Sequence, residues 1–361
     1  MSFKFNKKYR WLWLSLGAIL LRILFGIFPE FCELIYSRGF FLIIRLFVDN
    51  TWGAFMPFAM LYLLFFGLIA WFSRIIYLEI KNRKNVNKIQ WRKNALVNFG
   101  NFLGGFVFFF LVLWGFNYAR VPLEKTMGLE VRELSKEELR KEADEIIQIC
   151  IDARNEIKGS DTIALKGNFF PEDLESEMRN CLVKVLDSLG YPTISKVRGR
   201  QLYPAGMLYG FGSSGVYMPF TGEGHVESAL HILQKPFTIA HEMSHGYGFG
   251  DEGTCNFLGF LACMQSENPA IRYSGHLTAL RYVFNQLDSA YLFEKKNAVS
   301  TGMKNDVAAI FAEMDKYFEF IPGMHSVTYE AYLRMQGIKD GLNNYDRMVL
   351  MLAAYRRKNQ K

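Results

Sequence analysis

Residues 236–257 read PFTIAHEMSHGYGFGDEGTCNF, and this stretch decides how the second half of the chain is interpreted. Proline is favoured in the first turn of a helix, so a helix is predicted from Pro236 to the glycine at Gly246. Residues four apart on a helix share one face. His241 and His245 would therefore present their imidazoles side by side, which is typical of two ligands of one zinc ion.

Glu242 follows the first histidine and is offset from it around the helix. A carboxylate in this position can take a proton from a metal-bound water without binding the metal itself. We therefore predict Glu242 as the catalytic residue and Zn²⁺ as the cofactor.

A catalytic zinc site needs a third protein ligand and one open position. The glycines between residues 246 and 250 predict a tight turn, and residues 251–264 (DEGTCNFLGFLACM) predict a second, buried helix. Glu252 lies in its first turn, and Asn256 follows one turn later, where it could accept the free N–H of a liganded histidine. Asp251 is the alternative ligand, because HExxHxxGxxD is a metzincin-like spacing. Glu252 is the favoured third ligand, because Asn256 lies one turn after it on the same face of the helix.

Three apolar stretches precede this region, at residues 11–28, 54–72 and 99–118. Each approaches the roughly 20 residues that a membrane-spanning helix needs. A cleaved signal peptide is the alternative interpretation of the first stretch. We predict a membrane domain over residues 1–118 and a second domain over residues 119–361.

The distribution of basic residues predicts the orientation. Lysines and arginines cluster before the first stretch and again between residues 81 and 93, whereas residues 29–53 are balanced by acids. The positive-inside rule then places the N-terminus in the cytoplasm and the second domain outside it. These flanking clusters account for most of the net charge of +7. The basic charge therefore does not indicate a nucleic-acid partner.

The second domain is predicted to be rich in helices. Ser135 and Glu138 form a capping-box pattern at the start of a charged helix, and another helix is predicted over residues 171–190. Short aromatic runs separated by Gly, Ser and Pro predict strands over residues 200–226. A long helical pattern follows over residues 269–295, and another one lies near the C-terminus.

The five cysteines leave the redox compartment open. Cys150 and Cys181 could form a disulfide in an extracytoplasmic domain, or both could remain buried free thiols.

Further residues carry weaker hypotheses. Tyr273, His276 and His225 could each donate a hydrogen bond to the oxyanion of a tetrahedral intermediate, although a core or surface role is the more common one for such residues. The segment GSSGVYMPF, residues 212–220, could hold an extended substrate by strand addition, or could be a plain hairpin strand.

Several segments carry a family resemblance that runs nearly from end to end. These are FPEFCELIYSRGFF, LWGFNYARVPLE, SGVYMPFTGE, FTIAHEMSHGYGF, NFLGFLAC and IRYSGHLTALRY. They resemble the bacterial membrane family catalogued as domain of unknown function 3810, whose site pattern is close to HELAHQxGFxxExEANF. The positions that match are His241, Glu242, His245, Gly248, Phe249, Glu252 and Asn256. Thr254 and Cys255 stand where the family has Glu and Ala.

The resemblance implies a mainly α-helical, membrane-anchored protein with an α+β zincin-like (gluzincin-type) metallopeptidase domain and a small β-sheet. We expect a zinc-dependent peptidase in the bacterial plasma membrane, with the bilayer and a peptide or protein of the cell envelope as partners. Two alternatives stay open: a non-catalytic scaffold on the same fold, and a zinc hydrolase of a non-peptide envelope amide.

The charge pattern makes a topology prediction. A reporter fused after Lys361 is expected to read as extracytoplasmic, and one inserted at Asn87 as cytoplasmic, because basic loops stay inside. Paired alkaline phosphatase and fluorescent-protein fusions measure this directly. A cytoplasmic reading at Lys361 would contradict an active site on the outer face.

Overall fold

The computed structural model describes residues 7–82, 87–160, 162–295, 298–320 and 347–359. Two compact units are present. The first comprises Met1–Val121 with Met218–Gly222, and the second comprises Pro122–Tyr217 with Glu223–Lys361.

The described residues of the first unit are mostly helical. In chain order its elements are α1 (Arg10–Ile27), α2 (Pro29–Phe31), a π-helical segment (Cys32–Phe40), α3 (Phe41–Asn50), α4 (Trp52–Phe55), α5 (Met60–Asn82), α6 (Lys88–Leu113) and a 3-10 turn (Gly115–Ala119).

Three of these helices are long and apolar enough to cross a membrane, over Lys7–Ile27, Met60–Lys81 and Lys88–Leu113. The prediction of three apolar helices is confirmed. The second one starts later than predicted, because the short α4 ends and the chain is extended before Met60. The third starts earlier, since the Asn87 side chain caps it by accepting from Ile89 N at 2.9 Å.

Helices α1 and α6 approach each other closely. A Cβ atom at Gly104 would lie 2.8 Å from the carbonyl oxygen of Trp11, so only glycine permits this contact. By contrast, none of the residues in the spanning window of α5 is buried, and most of them are exposed. Exposed apolar side chains of this kind are suited to contact with lipid.

Residues 218–222 belong to the first unit by their contacts, although they connect two strands of the second. The guanidinium of Arg45, which is buried, donates to the carbonyl of Gly222 at 2.5 Å. The indole of Trp52 donates to the carbonyl of Thr221 at 2.7 Å. Two backbone carbonyls of this short connection are thus held by side chains of the first unit.

The second unit consists of a three-stranded sheet and the helices around it. Its elements are α7 (Leu123–Met127), α8 (Lys136–Asn155), α9 (Leu174–Ser188), β1 (Gly199–Leu202), β2 (Gly215–Met218), β3 (Glu223–Glu227), α10 (Lys235–Gly246), α11 (Glu252–Met264), α12 (Pro269–Phe284), α13 (Ser289–Lys295), α14 (Thr301–Met314) and α15 (Arg347–Asn359).

The strand order is β1-β3-β2, so β2 lies at one edge of the described sheet. β1 and β3 are parallel, with Gly199 opposite Gly224 and Leu202 opposite Glu227. The strand region predicted over residues 200–226 therefore covers the three short strands of the described sheet to within one residue at each end.

The predicted helices are confirmed with changes at their ends. The Ser135 capping box is formed, because Ser135 Oγ accepts from Glu138 N and the Glu138 side chain accepts from Ser135 N. The helix predicted from Pro171 begins instead at Leu174, since Asp173 caps it by accepting from Ser176 N at 3.0 Å. The pattern over residues 269–295 is two helices, α12 and α13.

Helix α14 is anchored by a buried ionic network. The Asp306 carboxylate accepts from Arg154 Nε at 2.7 Å, from the hydroxyl of Tyr273 at 2.9 Å and from Leu165 N at 2.7 Å. Because Arg154 and Tyr273 belong to α8 and α12, the network fixes the position of α14 against both helices.

All five cysteines are buried free thiols, so Cys150 and Cys181 do not form a disulfide.

Candidate metal centre

Helix α10 carries the two histidines and rests directly on the sheet. A Cβ atom at Gly224 of β3 would come within 2.7 Å of the Cβ atom of Glu242, which shows how close the helix and strand are. The rings of His241 and His245 have centroids 4.9 Å apart. His241 is 7% exposed and His245 is 6% exposed. Helical spacing and close packing therefore place two imidazoles together in the interior.

The turn after α10 brings a carboxylate to the histidines. Gly248 has φ of +88°, a left-handed conformation that favours glycine. The chain then reverses into α11, where a Cβ atom at Gly259 would lie only 3.2 Å from the carbonyl oxygen of Phe237. This tight packing of α11 on α10 directs Glu252, which is 1% exposed, towards the two imidazoles.

The three side chains converge on one point. His241 Nε2 lies 3.2 Å from His245 Nε2, and Glu252 Oε2 lies 3.2 Å from His241 Nε2 and 3.6 Å from His245 Nε2. Ligand atoms at 2.0–2.1 Å from a tetrahedral zinc ion lie about 3.3 Å from one another. The spacing of these donors therefore fits a small tetrahedral cation.

The hydrogen bonds on the far side of each ring define which nitrogen faces the centre. The carbonyl oxygen of Phe249, which can only accept, lies 2.8 Å from His245 Nδ1. Asn256 Oδ1 lies 2.8 Å from His241 Nδ1 and also accepts from the hydroxyl of Tyr282 at 3.3 Å. Both Nδ1 atoms are thus donors, and in the neutral rings both Nε2 lone pairs point to the centre. This arrangement is typical of histidines that bind metals.

The charges of the site are compatible with a bound cation. Burial opposes ionisation of Glu252, but the imidazoles of His245 and His241 hold its pKa far below the usual range. Burial likewise lowers the pKa of His245, but Cys255 and Glu252 raise it well above its ordinary value. The negative charge of Glu252, buried beside two imidazole nitrogens, thus favours a positive charge between the three groups. A proton or a metal ion can supply that charge.

Glu242 occupies a different position from the three converging groups. Burial raises its pKa to about 7, and none of the described residues forms a hydrogen bond with its Oε2 atom. Gly215 of β2 covers the other oxygen so closely that a Cβ atom there would overlap it. Glu242 is therefore a carboxylate with a free acceptor oxygen and a pKa near neutrality, both of which suit a general base.

The rival ligand Asp251 has other contacts. It is the N-cap of α11, where Oδ1 accepts from Thr254 N at 2.7 Å, and Oδ2 lies 3.3 Å from a guanidinium nitrogen of Arg347. The group of potential ligands that converges in the structure contains Glu252 and not Asp251. The residue predicted to support a histidine, Asn256, lies where that role requires.

The three weaker candidates lie elsewhere. The buried hydroxyl of Tyr273, a possible oxyanion donor, donates to Asp306, and Tyr273 is not among the described residues that line the cavity at the site. His225 is fully buried in β3, and His276 packs its ring on Phe260. Neither histidine lines the cavity at the candidate site.

A cavity of about 790 Å³ opens beside the candidate metal centre. His241, Glu242 and Asn256 line one side of it, together with residues 213–215 at the start of β2. Residues of α12 and α14 form much of the remaining wall. Glu242 therefore borders this cavity, although its Oε2 atom is itself buried.

Three parts of the site were not predicted from the sequence. The carbonyl of Phe249 orients His245, the hydroxyl of Tyr282 orients the amide of Asn256, and the thiol of Cys255 lies 3.4 Å from His245 Nδ1. The HExxH pattern contains no signal for a backbone carbonyl or for a tyrosine on another helix. Phe249 and Cys255 both lie within residues 236–257, whereas Tyr282 lies on α12.

No curated protein and no solved structure matches the chain. One family model matches residues 36–353, a segment that includes α5, α6, the sheet and the candidate metal centre. The resemblance predicted from the sequence is confirmed, and the chain belongs to the family described as "Protein of unknown function (DUF3810)".

Proposed function

We propose that the protein is a membrane-anchored, zinc-dependent metallopeptidase. The observation that supports this most strongly is the pairing of two features on α10 and α11. Three lone-pair donors converge at the spacing of a tetrahedral site, and the carboxylate of Glu242, whose Oε2 has no hydrogen-bond partner among the described residues, interacts electrostatically with all three. A purely structural metal site has no need of such a carboxylate in an open cavity.

His241, His245 and Glu252 would hold the metal, with Asn256 and the carbonyl of Phe249 fixing the two rings. When bound, zinc would supply a Lewis acid that polarises the scissile carbonyl and lowers the pKa of coordinated water to about 7.

Glu242 would carry the proton during the reaction. Its Oε2 atom accepts the proton that water loses as the water oxygen forms a bond to the carbonyl carbon of the substrate. The carboxylic acid then gives this proton to the nitrogen of the scissile amide as the C–N bond breaks. Water is consumed, and a carboxylic acid and an amine are released, so the cycle returns Glu242 to its starting state.

Strand β2 would position the substrate. β2 lies at one edge of the described sheet. Residues 213–215, which lead into it, line the same cavity as Glu242. An extended peptide can hydrogen-bond along such an edge, which fixes its scissile bond relative to the catalytic groups. The close contact of Gly215 with Glu242 would align strand and base.

The membrane anchor completes the proposal. The three apolar helices would span the plasma membrane with the N-terminus in the cytoplasm, since the basic clusters flank the first helix and the connection between α5 and α6. The second unit would then act on peptides or proteins at the extracytoplasmic face.

The choice of third ligand is tested by two adjacent substitutions. The purified full chain is expected to contain about one zinc ion. Glu252→Ala should weaken zinc binding by at least about 100-fold, the upper end of the loss seen for groups that only support a ligand. Asp251→Ala should leave zinc affinity nearly unchanged and cost about 1 kcal/mol of stability through the lost helix cap. Competition with a chromogenic chelator measures both affinities, and the reverse order of damage would assign the metal to Asp251.

The catalytic role is tested by Glu242→Gln. Glutamine keeps the size and one acceptor oxygen but cannot take up the proton, so cleavage should fall about 10²- to 10⁴-fold while zinc content stays at the wild-type value. Mass spectrometry of a diverse peptide library, incubated with the full chain in detergent, measures cleavage.

The matched control is Glu267→Gln, which changes an exposed glutamate just after α11. It should cleave like the wild type. If Glu242→Gln lost zinc together with activity, Glu242 would be structural. If wild type and Glu242→Gln were equally inert with zinc bound, the peptidase proposal would fail in favour of a scaffold.

A further inference from the structure

We propose that the cavity between α10, α12 and α14 binds several consecutive bulky apolar side chains of the substrate, so that apolar peptide segments are the preferred substrates. This inference rests on the proposed function, whose site it deepens. It concerns the class of substrate, which neither the HExxH pattern nor family membership specifies.

The size of the cavity exceeds the needs of a single side chain. Its volume is about 790 Å³. Pockets of roughly 300–1,000 Å³ enclose most of a whole drug-sized molecule. A ligand that fills the cavity must therefore contribute more than one side chain.

The walls are apolar on the sides formed by α12 and α14. They include Leu277, Phe284, Val307, Ile310, Phe311 and Met314. Phe311 is 58% exposed and Val307 is 38% exposed, so α14 presents bulky apolar groups to the open space of the cavity. Large apolar groups that stay exposed along one concave surface are typical of a binding site.

The charges along the cavity disfavour basic substrates. The lining includes two cations, Arg281 and Lys304, whereas Glu242 is the one carboxylate among the described lining residues. A lysine or arginine side chain in the cavity would face like charges and could pair only with the catalytic base. Such a mismatch selects against basic side chains.

The position of the cavity favours a peptide over a free acyl chain as its occupant. Residues 213–215 lead into the edge strand and line the cavity together with Glu242. A ligand held there has backbone hydrogen-bonding groups beside it as well as apolar walls. A peptide satisfies both features, whereas an acyl chain has no groups to pair with the strand.

The wall of α14 is rigidly placed before any ligand binds. The buried Asp306 network ties the helix to α8 and α12. Ala308 lies on the exposed side of α14 and lines the cavity, while Ala312, one turn later, is also exposed but does not line it. These two alanines form a matched pair, because a large side chain at either position meets little packed protein.

The experiment measures binding separately from turnover. The Glu242→Gln full chain is titrated with fluorescein-labelled Gly-Gly-Phe-Leu-Phe-Gly and with the polar peptide Gly-Gly-Ser-Asn-Ser-Gly, with fluorescence polarisation as the readout. The apolar peptide is expected to bind at least about tenfold more tightly than the polar one. Adding Ala308→Trp should remove that advantage, and adding Ala312→Trp should leave it intact.

Three results would overturn the inference. They are equal affinity for the two peptides, an apolar preference that survives Ala308→Trp, and tighter binding of a fluorescent dodecanoic acid that the apolar peptide does not displace. Apolar binding that depends on Ala308, without any peptide cleavage by the wild-type chain, would support the cavity assignment while refuting the peptidase function. The two proposals therefore fail by different observations.

Discussion

The site depends on one constraint: the ring nitrogens of His241 and His245 and a carboxylate oxygen of Glu252 are held within 3.2–3.6 Å of one another in the interior. Both Nδ1–H groups are used by Phe249 and Asn256, and Glu252 brings a carboxylate oxygen to the two remaining nitrogens. A buried charge that loses its partner costs about 3–5 kcal/mol. A cation at the centre would remove this cost, and the close approach of the three groups supports the proposed metal site.

The neighbouring packing can be understood from this constraint. Gly259 lets α11 approach α10 until Glu252 faces the histidines, and Gly224 lets α10 rest on β3. Both contacts exclude water, which strengthens the interaction between the buried carboxylate and a cation. Glu242 lies on α10 and borders the cavity. Its carboxylate is therefore desolvated by burial but is not one of the three converging groups. Two carboxylates on consecutive helices, Glu242 on α10 and Glu252 on α11, thus have environments suited to two different roles.

The sequence predicted the parts of the site that local geometry determines. Helical periodicity was enough to pair His241 with His245, to place Glu252 in the first turn of the next helix and to align Asn256 with it. Contacts between distant segments have no such periodic signal. The hydroxyl of Tyr282, the cavity wall on α14 and the assignment of residues 218–222 to the first unit all depend on tertiary packing. The predicted start of α9 at Pro171 failed for a local reason, since proline and Asp173 are both acceptable starts and the side-chain cap decided between them.

The coordination of the metal tests this account most directly, and zinc-edge X-ray absorption spectroscopy on the full chain measures it. The predicted spectrum contains two imidazole nitrogens at about 2.0–2.1 Å with additional oxygen scattering from a carboxylate and solvent. A sulfur shell at about 2.3 Å would instead assign the metal to the nearby thiol of Cys255. Either that shell or a chain purified without any bound zinc would contradict a hydrolytic site built on His241, His245 and Glu252.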